Sequence, residues 1–221
     1  MIEHRDTPYT EAQLHDLANR VIKASTAEAV EVVLLGTTSY LTRFANNQIH
    51  QNVSEQDLEV QVRVAFGSRV GHGATNDLSP EGLGRALADA ETLAKLQPHN
   101  PEFPGFALPK AYAPLEATIE ATIATTPADR ARVVAHVCKD AEKEGLTASG
   151  AFTTGLRQVA IANSHGLWAY HQHTLADFNT VVMSDDSSGW AQATSLDARH
   201  IDGEALAEEA VDKALRSRRP Q

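Results

Sequence analysis

Leu58-Glu59-Val60-Gln61-Val62-Arg63-Val64-Ala65-Phe66 is the stretch that decides the fold class. Apolar side chains stand at every even position, with Glu, Gln, Arg and Ala between them. That alternation is the period of a strand with one face buried and one face wet. Gly67-Ser68 then turns the chain into a second extended run, Arg69 to Thr75. Upstream, Ile49 to Val53 and Ser39 to Phe44 read as two strands around an Asn46-Asn47 turn. Paired asparagines suit a tight hairpin, because they tolerate positive φ. Val30 to Leu35 is a further strand.

Helices flank these strands. Thr10 followed by Gln13 has the form of a capping box, and Leu14, Leu17, Ala18, Val21 and Ile22 follow at helical spacing. This predicts a helix over about 11–24. Ser79-Pro80 supplies a cap and an N1 proline for a helix carrying Leu83, Leu87, Ala90 and Ala94, which ends near 96. Five of the nine prolines then fall between Pro98 and Pro114, a density that neither a helix nor a central strand tolerates. The stretch 98–126 reads as a semi-rigid linker.

Beyond it the same order recurs. Thr126-Pro127 opens a helix with Val133, Val134, Val137, Cys138 and Ala141 on its apolar side, and Gly145 closes it. Extended runs follow at 146–154, 157–162, 167–173, 176–183 and 190–195. Turns separate them at Asn163-Ser164-His165-Gly166 and at 185–189, and Asp202 caps a last helix. Phe44 to Asn47 corresponds to Ile161 to Ser164, and Gly71 to Thr75 corresponds to Gly189 to Thr194. The fold class is therefore α+β: two similar units of helix, antiparallel strands and helix, at 1–97 and 127–221, joined by the proline-rich linker. A degenerate duplication explains the correspondence; two similar units that arose independently are the alternative.

Composition narrows the function. The net charge is −10, and the one basic cluster is Arg216, Arg218 and Arg219 near the C-terminal end. Nucleic-acid binding is not expected from such a balance. One cysteine, Cys138, allows neither an internal disulfide nor a Cys-based zinc site, and its place on an apolar helix face suggests burial. Met1 to Asp6 is charged and no apolar run follows it, so no membrane association and a cytoplasmic location are the expectation.

The ten histidines invite a metal reading. His171 and His173 share one strand face and could both reach an ion, but a third ligand is not evident, and a pair exposed on a sheet face is the simpler account. No histidine is followed by glutamate, so the helical His-Glu-x-x-His arrangement of zinc hydrolases is absent from the sequence. Gly-x-Ser-x-Gly does not occur. Gly71-His72-Gly73-Ala74 lacks the lysine of a phosphate loop, and Asp185-Asp186 lacks the glutamate of a calcium loop. Asn46-Asn47 and Asn163-Ser164 are most simply hairpin turns, and Arg43 beside the first of them a surface charge. The same five residues are the candidates for contact with a peptide or a partner.

A set of short motifs carries a family resemblance. These are Leu41-Thr-Arg-Phe-Ala-Asn-Asn-Gln-Ile49, Val60-x-Val-Arg-Val64, Gly67-x-Arg69, Gly71 and Ala74-Thr-Asn-Asp-Leu-Ser79. Phe103-Pro-Gly-Phe106, Ala162-Asn-Ser-x-Gly166, Ser188-Gly-Trp190 and Glu204-Ala-Leu-Ala-Glu-Glu-Ala210 follow in order. Together they resemble the N-terminal and middle portions of the TldD/PmbA family, also called modulators of DNA gyrase. The resemblance implies metal-dependent peptidases that work as paired subunits on extended peptides. It places the zinc motif His-Glu-x-x-x-His in a C-terminal domain or a partner subunit, and no family catalytic residue maps onto this chain. The expectation is then a non-catalytic portion that takes part in pairing with a homologous subunit, as homo- or heterodimer, and in holding extended peptide. It carries no cofactor of its own. A stand-alone binding or regulatory module is the alternative.

Overall fold

The computed structural model describes residues 9–218. The readings made on Met1 to Asp6 and on Arg219 lie outside the described residues. In chain order the elements are α1 (Glu11–Ala24), β1 (Ala29–Ala45), β2 (Gln48–Phe66), β3 (Arg69–Thr75), α2 (Pro80–Leu96), α3 (Glu120–Ile123) and α4 (Pro127–Lys143). Then come β4 (Thr147–Asn163), β5 (Trp168–Met183), β6 (Ser188–Ser195), a 3-10 turn at Ala198–His200 and α5 (Gly203–Arg216). Hydrogen bonding orders the strands β3-β2-β1-β4-β5-β6 in one six-stranded sheet, and the fold is α+β.

The helix starts follow from local chemistry. The Thr10 hydroxyl accepts the Gln13 amide at 3.2 Å, and the Gln13 side chain accepts the Thr10 amide at 2.8 Å. Thr126 and Asp129 form the same reciprocal pair at α4. Ser79 caps α2 through the Gly82 amide, and Asp202 caps α5 through the Glu204 and Ala205 amides. Each such cap is worth about 1 kcal/mol.

The strands are longer than the sequence pattern indicates. The runs at 30–35 and 39–44 are one strand, β1, and the other expected pairs of short runs merge into β2, β4 and β5 in the same way. Even-numbered residues of β1 face inward from Val30 to Phe44, but the middle of that series is Gly36, Thr38, Tyr40 and Thr42 rather than aliphatic. The face keeps its period while losing its hydrophobic signature, so the aliphatic pattern stops where the strand does not.

The chain divides into two compact units, interleaved along the sequence. Unit 1 takes the described residues to Thr37, then Gln56–Glu116 and Arg157–Gln172. Unit 2 takes Thr38–Glu55, Ala117–Leu156 and the described residues from His173. The division falls within β1, β2, β4 and β5, so each long strand serves one core with one half and the other core with the other half. The core of unit 1 joins α1 and α2 to Val30, Val32, Leu34, Val60, Val62 and Val64. That of unit 2 joins α4 and α5 to Phe44, Phe152, Phe178, Val182 and Ala191.

The two units repeat particular contacts. A Cβ built on Gly71 would lie less than 3.0 Å from the Ala90 carbonyl and the Ala94 amide of α2. A Cβ on Gly189 would lie equally close to the Ala210 carbonyl and the Ala214 amide of α5. Gly71 and Gly189 are the residues that correspond in the sequence. Only glycine lets strand and helix backbones approach this far.

Residues 98–118 hold neither helix nor strand, and they are anchored rather than free. In unit 1 Phe106 is buried under the Arg63 guanidinium, 5.2 Å from its ring centroid, and the Ala107 carbonyl accepts the Asn163 side-chain amide at 2.7 Å. Within the stretch expected as linker, α3 forms a single turn. It is held where the buried Thr122 hydroxyl donates to the Leu196 carbonyl at 2.7 Å and accepts the Ala198 amide at 2.8 Å.

Candidate functional site

Most of the polar residues singled out by sequence are engaged in holding the fold. Asn46 and Asn47 have φ of 51° and 59°, the left-handed pair that a two-residue hairpin turn requires. Asn47 reaches further. Its amide donates to the Ala148 carbonyl at 3.1 Å, its side-chain oxygen accepts the Ala148 amide at 2.6 Å, and its side-chain nitrogen donates to the Leu146 carbonyl at 3.0 Å. Ser164 makes the matching pair in unit 1, its amide donating to the Val30 carbonyl at 2.8 Å and its hydroxyl accepting the Val30 amide at 3.1 Å. Asn163 is buried, and its side-chain oxygen accepts the His165 and Leu167 amides. Arg43 is exposed on β1, with Nη1 3.4 Å from the Gln51 side-chain oxygen.

Replacing Asn47 by alanine should therefore lower stability by about 2–3 kcal/mol. Two side-chain hydrogen bonds are lost at about 1 kcal/mol each, and a left-handed backbone without a polar side chain adds about 1 kcal/mol. A urea titration measures this; a loss under 0.5 kcal/mol would mean that the clamp is redundant.

His171 and His173 lie two residues apart on β5, both half-buried. Among the described residues no group of three His, Cys, Asp or Glu side chains is arranged to hold a metal ion. Cys138 is buried, and burial, followed by the nearby Glu142 charge, pushes its thiol above the ordinary value, which disfavours the thiolate. No helix among the described residues is long and apolar enough to cross a membrane.

Unit 2 contains an open cleft of about 760 Å³ lined by Val133, Phe152 and Ile201 together with Arg132, His136 and Glu204. Its polar side chains already have partners: Arg132 with Asp129, His136 Nδ1 with Glu204 at 3.5 Å, and Arg199 with Asp197. The last pair is multiply hydrogen-bonded. The Arg199 guanidinium donates to both Asp197 oxygens, at 2.6 to 3.1 Å, and its amide adds a third donor at 3.0 Å. These hydrogen bonds hold the Asp197 carboxyl at about 2, below its ordinary 3.8. Because the folded value is depressed, the stability it contributes is complete above pH 3.8 and is lost as the pH falls through about 2. Asp197→Asn should flatten the acid limb of the stability–pH curve between those values while leaving the limb above pH 5 parallel to that of the parent protein.

One buried polar side chain lies outside the residues that the sequence singles out. Arg130 is 1% exposed. Its Nε donates to the Thr42 hydroxyl at 3.0 Å and its Nη1 to the Thr154 hydroxyl at 3.1 Å, and the guanidinium stands 5.8 Å from the Tyr40 ring centroid. Thr42 in turn donates to the Asn52 side chain at 2.7 Å. The available signal was spacing: Arg130 falls three and four residues before Val133 and Val134, on the apolar stripe of α4, where an arginine is out of place.

Comparisons with known proteins follow the same two halves. Residues 30–94 match the family model described as PmbA/TldA metallopeptidase domain 1, and residues 112–218 match the PmbA/TldA metallopeptidase central domain. No curated protein matches by sequence. Among solved structures the chain is similar to TldE from Thermococcus kodakarensis, with TM-score 0.78 and 17% identity over 91% of this chain and 47% of that one. It is similar to a protein described as a modulator of DNA gyrase from Bacteroides thetaiotaomicron, with TM-score 0.80 and 14% identity over 94% of this chain and 50% of that one. The protein of like description from Thermotoga maritima gives 0.76 and 15%, over 91% and 48%. The chain thus spans about half the length of the solved structures it matches.

Proposed function

The chain belongs to the PmbA/TldA metallopeptidase family, and from that premise we propose that it is a non-catalytic portion of a peptidase subunit that acts in subunit pairing and in holding extended peptide. The observation that carries this reading is the match to domain 1 and to the central domain over residues 30–94 and 112–218. Hydrolysis in this reading belongs to a zinc site carried by a C-terminal domain or by a partner subunit. The residues described here supply scaffold. The polar groups of Asn47, Asn163 and Ser164 are bound to their own chain, which favours recognition through backbone over recognition through special side chains.

The test is to mix the chain with a family subunit that carries His-Glu-x-x-x-His. Co-elution on size exclusion, with faster cleavage of an unfolded peptide than by that subunit alone, is the expected result. Absence of both would sink the pairing role. A stable complex with a protein that is not a peptidase would favour the stand-alone binding module instead.

A further inference from the structure

Residues 107–116 run from one firmly held point of the chain to another. At the start, in unit 1, Phe106 is buried and the Ala107 carbonyl accepts the Asn163 side-chain amide at 2.7 Å. At the end, in unit 2, Ala117 is buried and its carbonyl accepts the Thr174 amide at 3.0 Å. Between these points every residue is exposed, Leu108 at 72% and Leu115 at 71%. Among the described residues, the hydrogen bonds of 108–116 are the two made by one side chain. The Tyr112 hydroxyl accepts the Tyr170 amide at 2.9 Å and donates to the Tyr170 carbonyl at 3.2 Å.

The two sides of this contact differ in firmness. Tyr170 lies on β5, and its own hydroxyl accepts the Gln158 side-chain amide at 2.8 Å and donates to the Gln172 side-chain oxygen at 2.7 Å. Tyr112 is 53% exposed and has no buried neighbour within 108–116 to hold it. Release of Tyr112 loses two hydrogen bonds, and water and regained chain freedom offset part of that loss. Pro109 and Pro114 flank Tyr112 and narrow the conformations open to the released stretch, which favours its return to the same place. β6 covers β5 only from Ala176 to Met183, so it does not reach the outer backbone of Tyr170.

We infer that residues 108–116 are a strap that opens and closes on the outer edge of β5 while unit 1 stays folded, with the Tyr112 hydroxyl as its latch. Shut, the strap satisfies the Tyr170 amide and carbonyl. Open, it bares them, and bare groups on a strand edge are where another segment can pair. The strap is a gate on that edge, and it stands independently of the subunit-pairing and peptide-holding roles.

Lysine-specific proteolysis of the full chain tests the latch. Of the six lysines only Lys110 lies outside a helix, so the folded protein offers one point of attack, the bond between Lys110 and Ala111. Cleavage of a segment that opens and recloses rapidly follows the population of its open form. Tyr112→Phe keeps the ring and removes both hydrogen bonds, and should raise the cleavage rate about tenfold. Hydrogen exchange of the parent chain is the second measurement and needs no variant. The Tyr170 amide should exchange at a rate that low urea leaves unchanged, as a local opening does, whereas the Val62 and Val64 amides should speed up as urea is added. Equal cleavage of the parent and Tyr112→Phe would overturn the latch. A first cut within a helix, or a Tyr170 amide that opens only together with Val62 and Val64, would overturn the strap.

Discussion

Gly71→Ala and Gly189→Ala are each expected to lower the unfolding free energy by about 3 kcal/mol or more, the upper range for overpacking. The new methyl at position 71 has nowhere to go. It would fall inside 3.0 Å of the Ala90 carbonyl oxygen and the Ala94 amide nitrogen, and both are backbone atoms of α2. A flexible side chain could swing aside; a helix backbone can only move bodily away, opening the contact of Ala90 and Ala94 with the core of unit 1. At position 189 the obstacles are the Ala210 carbonyl and the Ala214 amide of α5. Alanine also reduces the freedom of the unfolded chain, which favours folding by about 0.4–1 kcal/mol, too little to offset the clash. Gly84→Ala is the control: it lies exposed within α2 with open space around its Cα, and should stabilise by about 0.5–1 kcal/mol. Urea midpoints with unchanged slopes measure all three. If Gly71→Ala behaved like Gly84→Ala, the close approach of β3 to α2 would be wrong.

Arg130→Ala should cost about 3 kcal/mol, in the range for deleting a large buried side chain. Two effects combine. The aliphatic stem and guanidinium leave a cavity between α4 and the strands of unit 2, and the Thr154 hydroxyl loses its donor at 3.1 Å. Arg130→Met separates them, since it refills most of the volume and restores no hydrogen bond; about 1–2 kcal/mol should remain. Lysine should not rescue, because one ammonium cannot reproduce the fork that reaches Thr42 and Thr154 together. The substitution also has a readout beyond stability. Thr42 would lose the Arg130 donor that accompanies its bond to Asn52, so amides near Asn52 should exchange faster in a variant that is still folded. Unchanged exchange there would sever the link between the buried arginine and β2.

The family was legible because its motifs are short and local. The candidate site was much less so. Arg43, Asn46, Asn47, Asn163 and Ser164 are polar residues at or beside turns, and position in sequence cannot tell a polar group facing a ligand from one facing its own chain. For Asn47 the partners are Leu146 and Ala148, about a hundred residues away, and no local pattern announces a bond of that span. How far β3 runs along β2 is illegible for a related reason. Gln48 to Glu55 reads the same whether or not a neighbour lies beside it, and the difference from β5 consists of where Tyr112 and Ala117 happen to run.

What the sequence determined by itself is whatever a few consecutive residues can enforce. The caps at Thr10, Ser79, Thr126 and Asp202 start the four main helices where their hydroxyls and carboxylates meet the next turn. Asn46-Asn47 makes the hairpin, and alternation makes the strand at 58–66. The tertiary structure alone decided that the short runs fuse into long strands and that two cores share them. It also decided that an arginine sits in one core and that β3 pairs with β2 only from Val60 to Phe66. Strand length and edge cover are properties of neighbours. A backbone amide is satisfied by whichever segment the fold places beside it, and the residue that carries the amide does not encode that placement.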